Sequence, residues 1–264
     1  MCINLCLYSS TVPDQGTKVQ KLILMILAVI PARYASTRFP GKPLVEIQGK
    51  TMIHRVYDQV AKSQKVDEIV VATDDERIYQ HVISWGGKAM MTLDSHISGS
   101  DRCAEVAEHY PNAEFILNIQ GDEPFIQPEQ IDLLIETLLL HDYAGIASIA
   151  KQITDADTLF NPNVVKVVMS NHSHAMYFSR NPIPFVRGEA LDTWIQKADF
   201  YKHIGLYGFK RRILLTIATL SPTGLEMCES LEQLRWLSQG FVIAMGITTL
   251  ETIGVDTPED LLKF

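Results

Sequence analysis

Nine apolar residues in a row, 22–30, run directly into Pro31. A run of this length ended by a proline reads as a strand buried on both faces, as in a parallel sheet. The next apolar positions change period. Met52, Ile53, Val56, Tyr57, Val60 and Ala61 fall at helical spacing, so 49–62 reads as an amphipathic helix. A β-branched strand over 68–73 follows, then a helix over 75–85 stopped by Gly86-Gly87, then a strand over 88–92. Strand, loop and helix therefore alternate from residue 22 to 92, the pattern of right-handed parallel crossovers.

The alternation continues with a helix over 101–110, for which Ser100 is the expected N-cap, and a buried strand over 115–120. A helix over 128–141 carries Ile131, Leu134, Ile135 and Leu138 on one side, and 143–150 reads as a strand. The character then shifts. Two β-rich segments, 164–170 and 175–179, flank Asn171-His172-Ser173-His174 and read as a hairpin. His172 and His174 belong to its polar tip, since no other ligand cluster accompanies them. Helices are expected over 211–220 and 225–238. In the second, Glu229, Glu232 and Gln233 would share one face. A last strand spans 241–245, and Thr257-Pro258 with Asp260 reads as a capped helix start.

With 264 residues, 47% of them hydrophobic, the chain can bury one large core. A net charge of −8 with no long basic run argues against nucleic acid as a partner, so any phosphate recognition must be local. The four cysteines, Cys2, Cys6, Cys103 and Cys228, form no C-x-x-C, which fits a reducing cytoplasm rather than a disulfide framework or a zinc site. Lys18 and Lys21 before the apolar run imitate a signal peptide, but that run is too short to span a bilayer. Residues 1–24 are expected to be an extension outside the core, with Met25 as the functional start.

The candidate chemistry follows the first strand. Arg33, Arg38 and Lys42 lie within ten residues among Ala32, Ala35, Ser36, Thr37 and Gly41. Small residues let the backbone approach a ligand, and cations at the C-terminal edge of a parallel sheet suit a polyphosphate. The loop matches neither the P-loop nor the dinucleotide motif. Further along, Gly121-Asp122-Glu123-Pro124 puts a carboxylate at the tip of a central strand, a reasonable oxygen ligand for Mg2+.

The run from Ile30 through Pro31-Ala32-Arg33-Tyr34-Ala35-Ser36-Thr37-Arg38-Phe39-Pro40-Gly41-Lys42-Pro43-Leu44 resembles the signature loop of the 3-deoxy-manno-octulosonate cytidylyltransferases, the CMP-Kdo synthetases. The resemblance continues through Ala72-Thr73-Asp74, Ser98-Gly99, Asn118-Ile119-Gln120-Gly121-Asp122-Glu123-Pro124, Asn161-Pro162-Asn163, Tyr177-Phe178-Ser179-Arg180, His203-Ile204-Gly205-Leu206-Tyr207-Gly208, Leu231-Glu232-Gln233-Leu234-Arg235 and Gly254-Val255-Asp256-Thr257-Pro258. Where the family resembles Ser-Gly-Thr-Glu-Arg, this chain has Ser98-Gly99-Ser100-Asp101-Arg102.

The resemblance implies a single nucleotidyltransferase-type, Rossmann-like α/β domain over 25–264. Its mixed, mostly parallel sheet would be flanked by helices, with a small antiparallel dimerisation insert at about 164–210. It implies transfer of CMP from CTP to the anomeric hydroxyl of 3-deoxy-D-manno-octulosonate (Kdo), or its 8-amino analogue, for lipopolysaccharide biosynthesis, by a cytoplasmic homodimer without membrane insertion. On this reading Arg33, Arg38, Lys42 and Asp122 are catalytic, and Asp122 with Asp256 holds Mg2+. The nucleotide is bound by Pro31, Ala32, Arg33, Arg38, Lys42, Thr73, Asp74, Ser98, Gly99, Arg102 and Gln120. The sugar is bound by Arg180, His203, Tyr207, Glu232 and Gln233. CMP-sialic acid synthetases share the start of the loop but depart from it after Arg33. A nucleotide-binding sensor without catalysis is the alternative outside enzymes; Asp122 and Asp256 argue against it.

Overall fold

The computed structural model describes residues 24–35, 39–252, 254–255 and 257–263. The chain opens with β1 (Met25–Ala32), a 3-10 turn at Lys42–Leu44 and the small hairpin β2 (Glu46–Ile47) and β3 (Lys50–Thr51). Then come α1 (Met52–Val60), β4 (Glu68–Thr73), α2 (Glu76–Ser84), β5 (Ala89–Met91), α3 (Gly99–His109), β6 (Ala113–Asn118), α4 (Pro128–Leu140) and β7 (Gly145–Ile153). The second half holds α5 (Ala156–Phe160), β8 (Lys166–Met169), β9 (Ala175–Ser179), α6 (Trp194–Lys197), β10 (Phe200–Lys210) and α7 (Arg211–Ile217). It ends with α8 (Gly224–Glu229), α9 (Gln233–Ser238), β11 (Val242–Thr248) and a 3-10 segment, Pro258–Lys263.

One mixed sheet runs in the order β11-β7-β10-β6-β1-β4-β5. β10 is antiparallel to both β6 and β7, and the other strands of this path run parallel to one another. Both faces are covered. Ala28, Ile30, Ile53, Val56, Val82 and Leu134 belong to one core, on the side of α1, α2 and α4. Leu27, Val29, Cys103, Val106, Leu214 and Trp236 belong to the other, on the side of α3, α7 and α9. Successive residues of β1 thus face opposite layers, which is why its apolar run does not alternate. Each valine, leucine or isoleucine among them contributes about 1.5–3 kcal/mol by its burial from water.

Pro31 does not end the strand. β1 continues through Ala32, paired with Ala72 and Thr73 of β4, while its register with β6 stops at Val29 opposite Asn118. A proline is tolerated where its missing N–H faces no ladder partner.

The start of α3 also differs from the expectation. Ser98, not Ser100, is the N-cap: its hydroxyl accepts from Asp101 N at 3.1 Å, and the Asp101 carboxylate accepts from Ser98 N at 3.0 Å. Ser-x-x-Asp makes a capping box even with the shorter acid. The segment expected as one helix over 225–238 is broken at Ser230, which adopts φ 52. Glu229 ends α8 and Glu232 caps α9, so these acids do not share a helix face with Gln233. The break is bridged by Arg235, whose guanidinium grips Glu226 at 2.5 and 2.8 Å.

β8 and β9 pair antiparallel as the expected hairpin, and β8 joins β10 where Lys166 meets Lys202. The hairpin tip curls round to β11: Ser173 O accepts from Met245 N at 2.8 Å, and His174 bridges Ala244. His174 packs edge-on against His141 and Tyr143 at the end of α4. No helix among the described residues is long and apolar enough to cross a membrane.

A buried cation braces this half. Lys166 has no exposed surface, and its ammonium donates to Asn161 O at 2.9 Å, Val164 O at 2.6 Å and Arg180 O at 2.5 Å. Lys166→Met strips the partner from three carbonyls at once. At about 1–3 kcal/mol for each unsatisfied buried group, a loss of about 3 kcal/mol or more is expected. For a domain of this size that lowers Tm by roughly 6–12 °C, and a change under about 2 °C by differential scanning calorimetry would contradict the brace.

Candidate active site

β1, β4 and β6 run parallel, and the chain leaves β1 to one side for β4 and β5 before returning to the other side for β6. A crevice at the C-terminal ends of the strands opens at such a switch point. Here it is a cleft of about 280 Å³, and Pro31, Ala32, Arg33, Lys42, Ser98, Gly99, Arg102, Gln120 and Asp122 line it. These nine expected residues, distant in sequence, come together because the ends of β1 and β6, the turn at Lys42 and the start of α3 meet there.

Close backbone packing shapes the floor. A Cβ on Gly121 would lie 2.8 Å from Pro31 O, so only glycine lets the strand after β6 pass the end of β1 this closely. A Cβ on Gly99 would touch Pro31 and Asn118. Asn118, buried at the tip of β6, stands within 3.5 Å of Gln120 Nε2. Sequence reading quoted Asn118 in a motif without giving it a role; its place inside an apolar strand end was the available signal.

Thr73 and Asp74 lie behind the wall rather than on it. Thr73 is buried and its carbonyl accepts from Thr92 N at 2.8 Å. Asp74 accepts from Arg102 at 2.8 Å, and Arg102, fully buried, also donates to Thr92 Oγ1. Arg102 is thus a strut fixing α3 against the end of β4.

The loop after β1 is pinned at both ends. Gly41 N donates to Tyr34 O at 2.9 Å, and the Arg77 guanidinium sits 3.2 Å from the centre of the Tyr34 ring, itself held by Asp75 at 2.6 and 2.9 Å. Gly41 takes φ 71, a conformation that suits glycine, and turns Lys42 inward. Lys42 Nζ then lies 2.7 Å from Asp122 Oδ2. One terminal nitrogen of Arg33 is buried and has no hydrogen-bond partner among the described residues. A buried unpaired donor of this kind is unfavourable unless a ligand completes it. Arg38 and Asp256 lie outside the described residues. Val255, one residue before Asp256, donates its N–H to Asp122 O at 3.0 Å.

Of the expected sugar residues, His203, Tyr207 and Glu232 come together, while Arg180 is held elsewhere by Glu229 and Pro162. A bulge in β10 between Ile204 and Tyr207 breaks its register with β7 and brings Gly205 alongside Gln120, where a Cβ would lie 3.9 Å from Cγ. Bulges re-aim side chains next to active sites. His203 shares a hydrogen bond with Ser148 Oγ at 2.9 Å, and burial lowers its pKa to about 3, so its ring is neutral. Tyr207 stacks among His203, Phe209 and Trp236 with its buried hydroxyl unpaired among the described residues. Burial, and then the nearby Glu232 charge, push its pKa well up.

Glu232 links the two groups. Its carboxylate accepts from Ser100 Oγ at 3.0 Å. Burial raises its pKa to about 7, against the pull of the Ser98 and Ser100 hydroxyls. Ser100, expected only as a cap, is therefore part of the site. Gln233 is buried next to Glu232. Arg180 is engaged with its own chain: Nε donates to Glu229 O at 2.7 Å and NH1 to Pro162 O at 3.2 Å, while its backbone N–H donates to the Glu229 carboxylate at 2.9 Å.

Residues 27–252 match the family model described as Cytidylyltransferase. The 3-deoxy-manno-octulosonate cytidylyltransferase of Cytophaga hutchinsonii is 51% identical, covering 91% of this chain and 96% of its own length. That of Parabacteroides distasonis is 49% identical, covering 91% of this chain and 97% of its own. The solved structure of CMP:2-keto-3-deoxy-manno-octonic acid synthetase complexed with CTP superposes with a TM-score of 0.83 at 41% identity, over 90% of this chain and 96% of that one. A strand-end cleft walled by Arg33, Lys42 and Asp122, and sequence identity sustained across nine-tenths of the chain, lead to one assignment: the chain belongs to the 3-deoxy-manno-octulosonate cytidylyltransferase family.

Proposed function

We propose that the chain transfers CMP from CTP to the anomeric hydroxyl of Kdo, releasing pyrophosphate. The observation that carries this reading is the pairing of a cationic wall, Arg33 and Lys42, with Asp122 in one cleft at the switch point of a family member. The anomeric oxygen attacks the α-phosphorus in line, the bond to the bridging oxygen breaks, and pyrophosphate leaves from the opposite side. Such a reaction needs positioning and charge neutralisation more than covalent catalysis. Arg33, Arg38 and Lys42 hold the β- and γ-phosphates and take up the charge of the leaving group. Pro31, Ala32, Ser98, Gly99 and Gln120 hold the nucleoside end, with Arg102, Asp74 and Thr73 fixing that wall from behind.

The residues fit a magnesium ion. Asp122 offers a hard oxygen ligand, and its partner there already is a cation. Magnesium takes one or two carboxylates together with substrate phosphates, and Asp122 lies in the cleft where those phosphates would sit. Asp122 and Asp256 would hold the ion, which neutralises phosphate oxygens and acidifies the attacking hydroxyl when bound. The acceptor, itself an anion, lies against Tyr207, His203, Glu232 and Gln233, with Arg180 supporting its carboxylate. On the same reading the enzyme works in the cytoplasm as a homodimer, its exposed Phe185 and Leu191 supplying apolar contact area, and feeds lipopolysaccharide biosynthesis.

The deciding experiment is pyrophosphate release from CTP against a panel of sugar acids including Kdo, 8-amino-Kdo and sialic acid. Release with Kdo or its 8-amino analogue is expected; release with sialic acid alone, or with none, overturns the reading. Lys42→Ala and Arg38→Ala are expected to fold normally and lose about 10²–10³ in turnover, and unchanged turnover would remove either from the machinery. Arg180→Ala should raise KM for the sugar acid while leaving KM for CTP in place; an unaltered sugar KM separates Arg180 from the acceptor.

Glu232 gives a pH signature. Its folded pKa of about 7 lies above the ordinary carboxyl value, so the fold binds this proton more tightly than the unfolded chain does. The resulting stability is full below the unfolded pKa and is lost as pH rises through about 7. Glu232→Gln keeps the shape and cannot ionise. Urea midpoints from about pH 5 to about pH 8 should therefore fall more for the parent than for the variant, and parallel profiles would contradict the buried protonated carboxyl.

A further inference from the structure

A cation stands on the carboxylate that the proposed function gives to the metal. Lys42 Nζ lies 2.7 Å from Asp122 Oδ2, with the lysine side chain 11% exposed and the aspartate 39%. Neither backbone is free to retreat. Lys42 follows Gly41 at φ 71 and opens the Lys42–Leu44 turn, with Pro43 next in that turn. Asp122 follows Gly121, which is packed on Pro31, and its own carbonyl is held by Val255 N at 3.0 Å. The pair therefore opens by rotation of side chains, and the longer, more flexible one is the lysine.

Charge decides what can open it. A divalent ion arriving alone at Asp122 meets an ammonium already paired there, and would have to displace it while repelling it at short range. Arg33 lines the same cleft and adds to the repulsion that the ion meets. A triphosphate changes the balance. Its oxygens offer the ammonium a new partner along the same wall, and they bring further ligands for the ion. Lysine suits this exchange better than arginine, being a point charge with rotatable donors on a flexible stem.

We propose that Lys42 is a placeholder cation: it keeps the divalent ion off Asp122 in the free protein, so the site accepts the ion together with a nucleoside triphosphate, and on binding the ammonium passes from Asp122 to phosphate. The inference rests on the roles that the proposed function gives to Lys42 and Asp122. It makes metal and nucleotide binding cooperative, and by linkage each strengthens the other by the same factor.

The test is titration of free Mn2+ by electron paramagnetic resonance, with and without a CTP analogue whose α,β-bridging oxygen is a methylene, so that no turnover contributes. Parent, Lys42→Met, Asp122→Asn and the double variant are compared, with circular dichroism confirming folding. Without nucleotide, Lys42→Met is expected to bind Mn2+ at least about tenfold more tightly than the parent, and the double variant to lose that gain. Equal Mn2+ affinity of parent and Lys42→Met, or parent affinity as high without the analogue as with it, overturns the placeholder. The two readings fail differently. If Asp122→Asn binds Mn2+ with the analogue as well as the parent does, Asp122 is no metal ligand and the proposed assignment falls too. If Asp122→Asn loses that binding while Lys42→Met gains none, only the placeholder falls.

Discussion

The molecule depends on β1 being enclosed on every side. Its edges are taken by β4 and β6, and its faces by two helix layers, so nothing can shift its C-terminal end without disturbing both cores. That end is where the cationic loop begins. Interiors packed to crystal-like density transmit position with little slack. A loop leaving such a strand starts from a fixed point, and Tyr34 under Arg77 holds its first residues again before Gly41 turns the chain inward. Arg33 and Lys42, the described cations of the proposed phosphate wall, are aimed by burial of side chains outside the cleft.

The proposed acceptor side is built by different means. Much of it sits on β10, the antiparallel strand, and on the two short helices after it, where apolar burial alone would leave several arrangements open. Buried charge settles the choice. Lys166 ties the turn at 161–164 to Arg180 through three carbonyls, Glu229 gathers Ser179 Oγ and Arg180 N, and Arg235 clamps Glu226 across the break at Ser230. Each of these interactions offsets a desolvation cost that an apolar packing would not incur. What they add is register: Glu232 arrives opposite Ser100, and His203 opposite Ser148.

This division explains what could be read from the residues alone. Strand and helix periods exposed the parallel half almost element by element, with 68–73 matching β4 at both ends, because burial on regular elements leaves a periodic trace. The cluster of small and cationic residues after β1 was equally visible. The errors fall where a local polar contact outweighs period. Ser100 looked like a cap, but its hydroxyl is committed to Glu232 and the cap passes to Ser98, whose partner Asp101 is correctly spaced. Residues 225–238 carry a helical pattern throughout, and nothing in that pattern marks Ser230 as left-handed; the break is fixed by Arg235 reaching back to Glu226. Lys166 is unreadable for the same reason, since a lysine among β-branched residues usually faces solvent.

The two halves are joined by the β6–β10 ladder, and their chemistry is complementary. The proposed nucleotide wall carries cations, and Arg33 and Arg102 each have a buried nitrogen without a partner among the described residues; the proposed acceptor wall carries a neutral imidazole, a phenol likewise unpaired among the described residues and a carboxyl whose pKa burial raises to about 7. A wall of fixed cations suits a polyanion whose charge grows at the leaving group as the bond breaks. On the proposed reading, a neutral imidazole and a phenol suit the hydroxyls of a sugar, while its carboxylate falls to Arg180. Glu232 stands where these requirements conflict, beside the start of α3 and facing the phenol of Tyr207. On the proposed reading, the raised pKa of Glu232 reduces the like charge that an anionic acceptor meets, while the Ser100 hydroxyl holds the carboxyl in position.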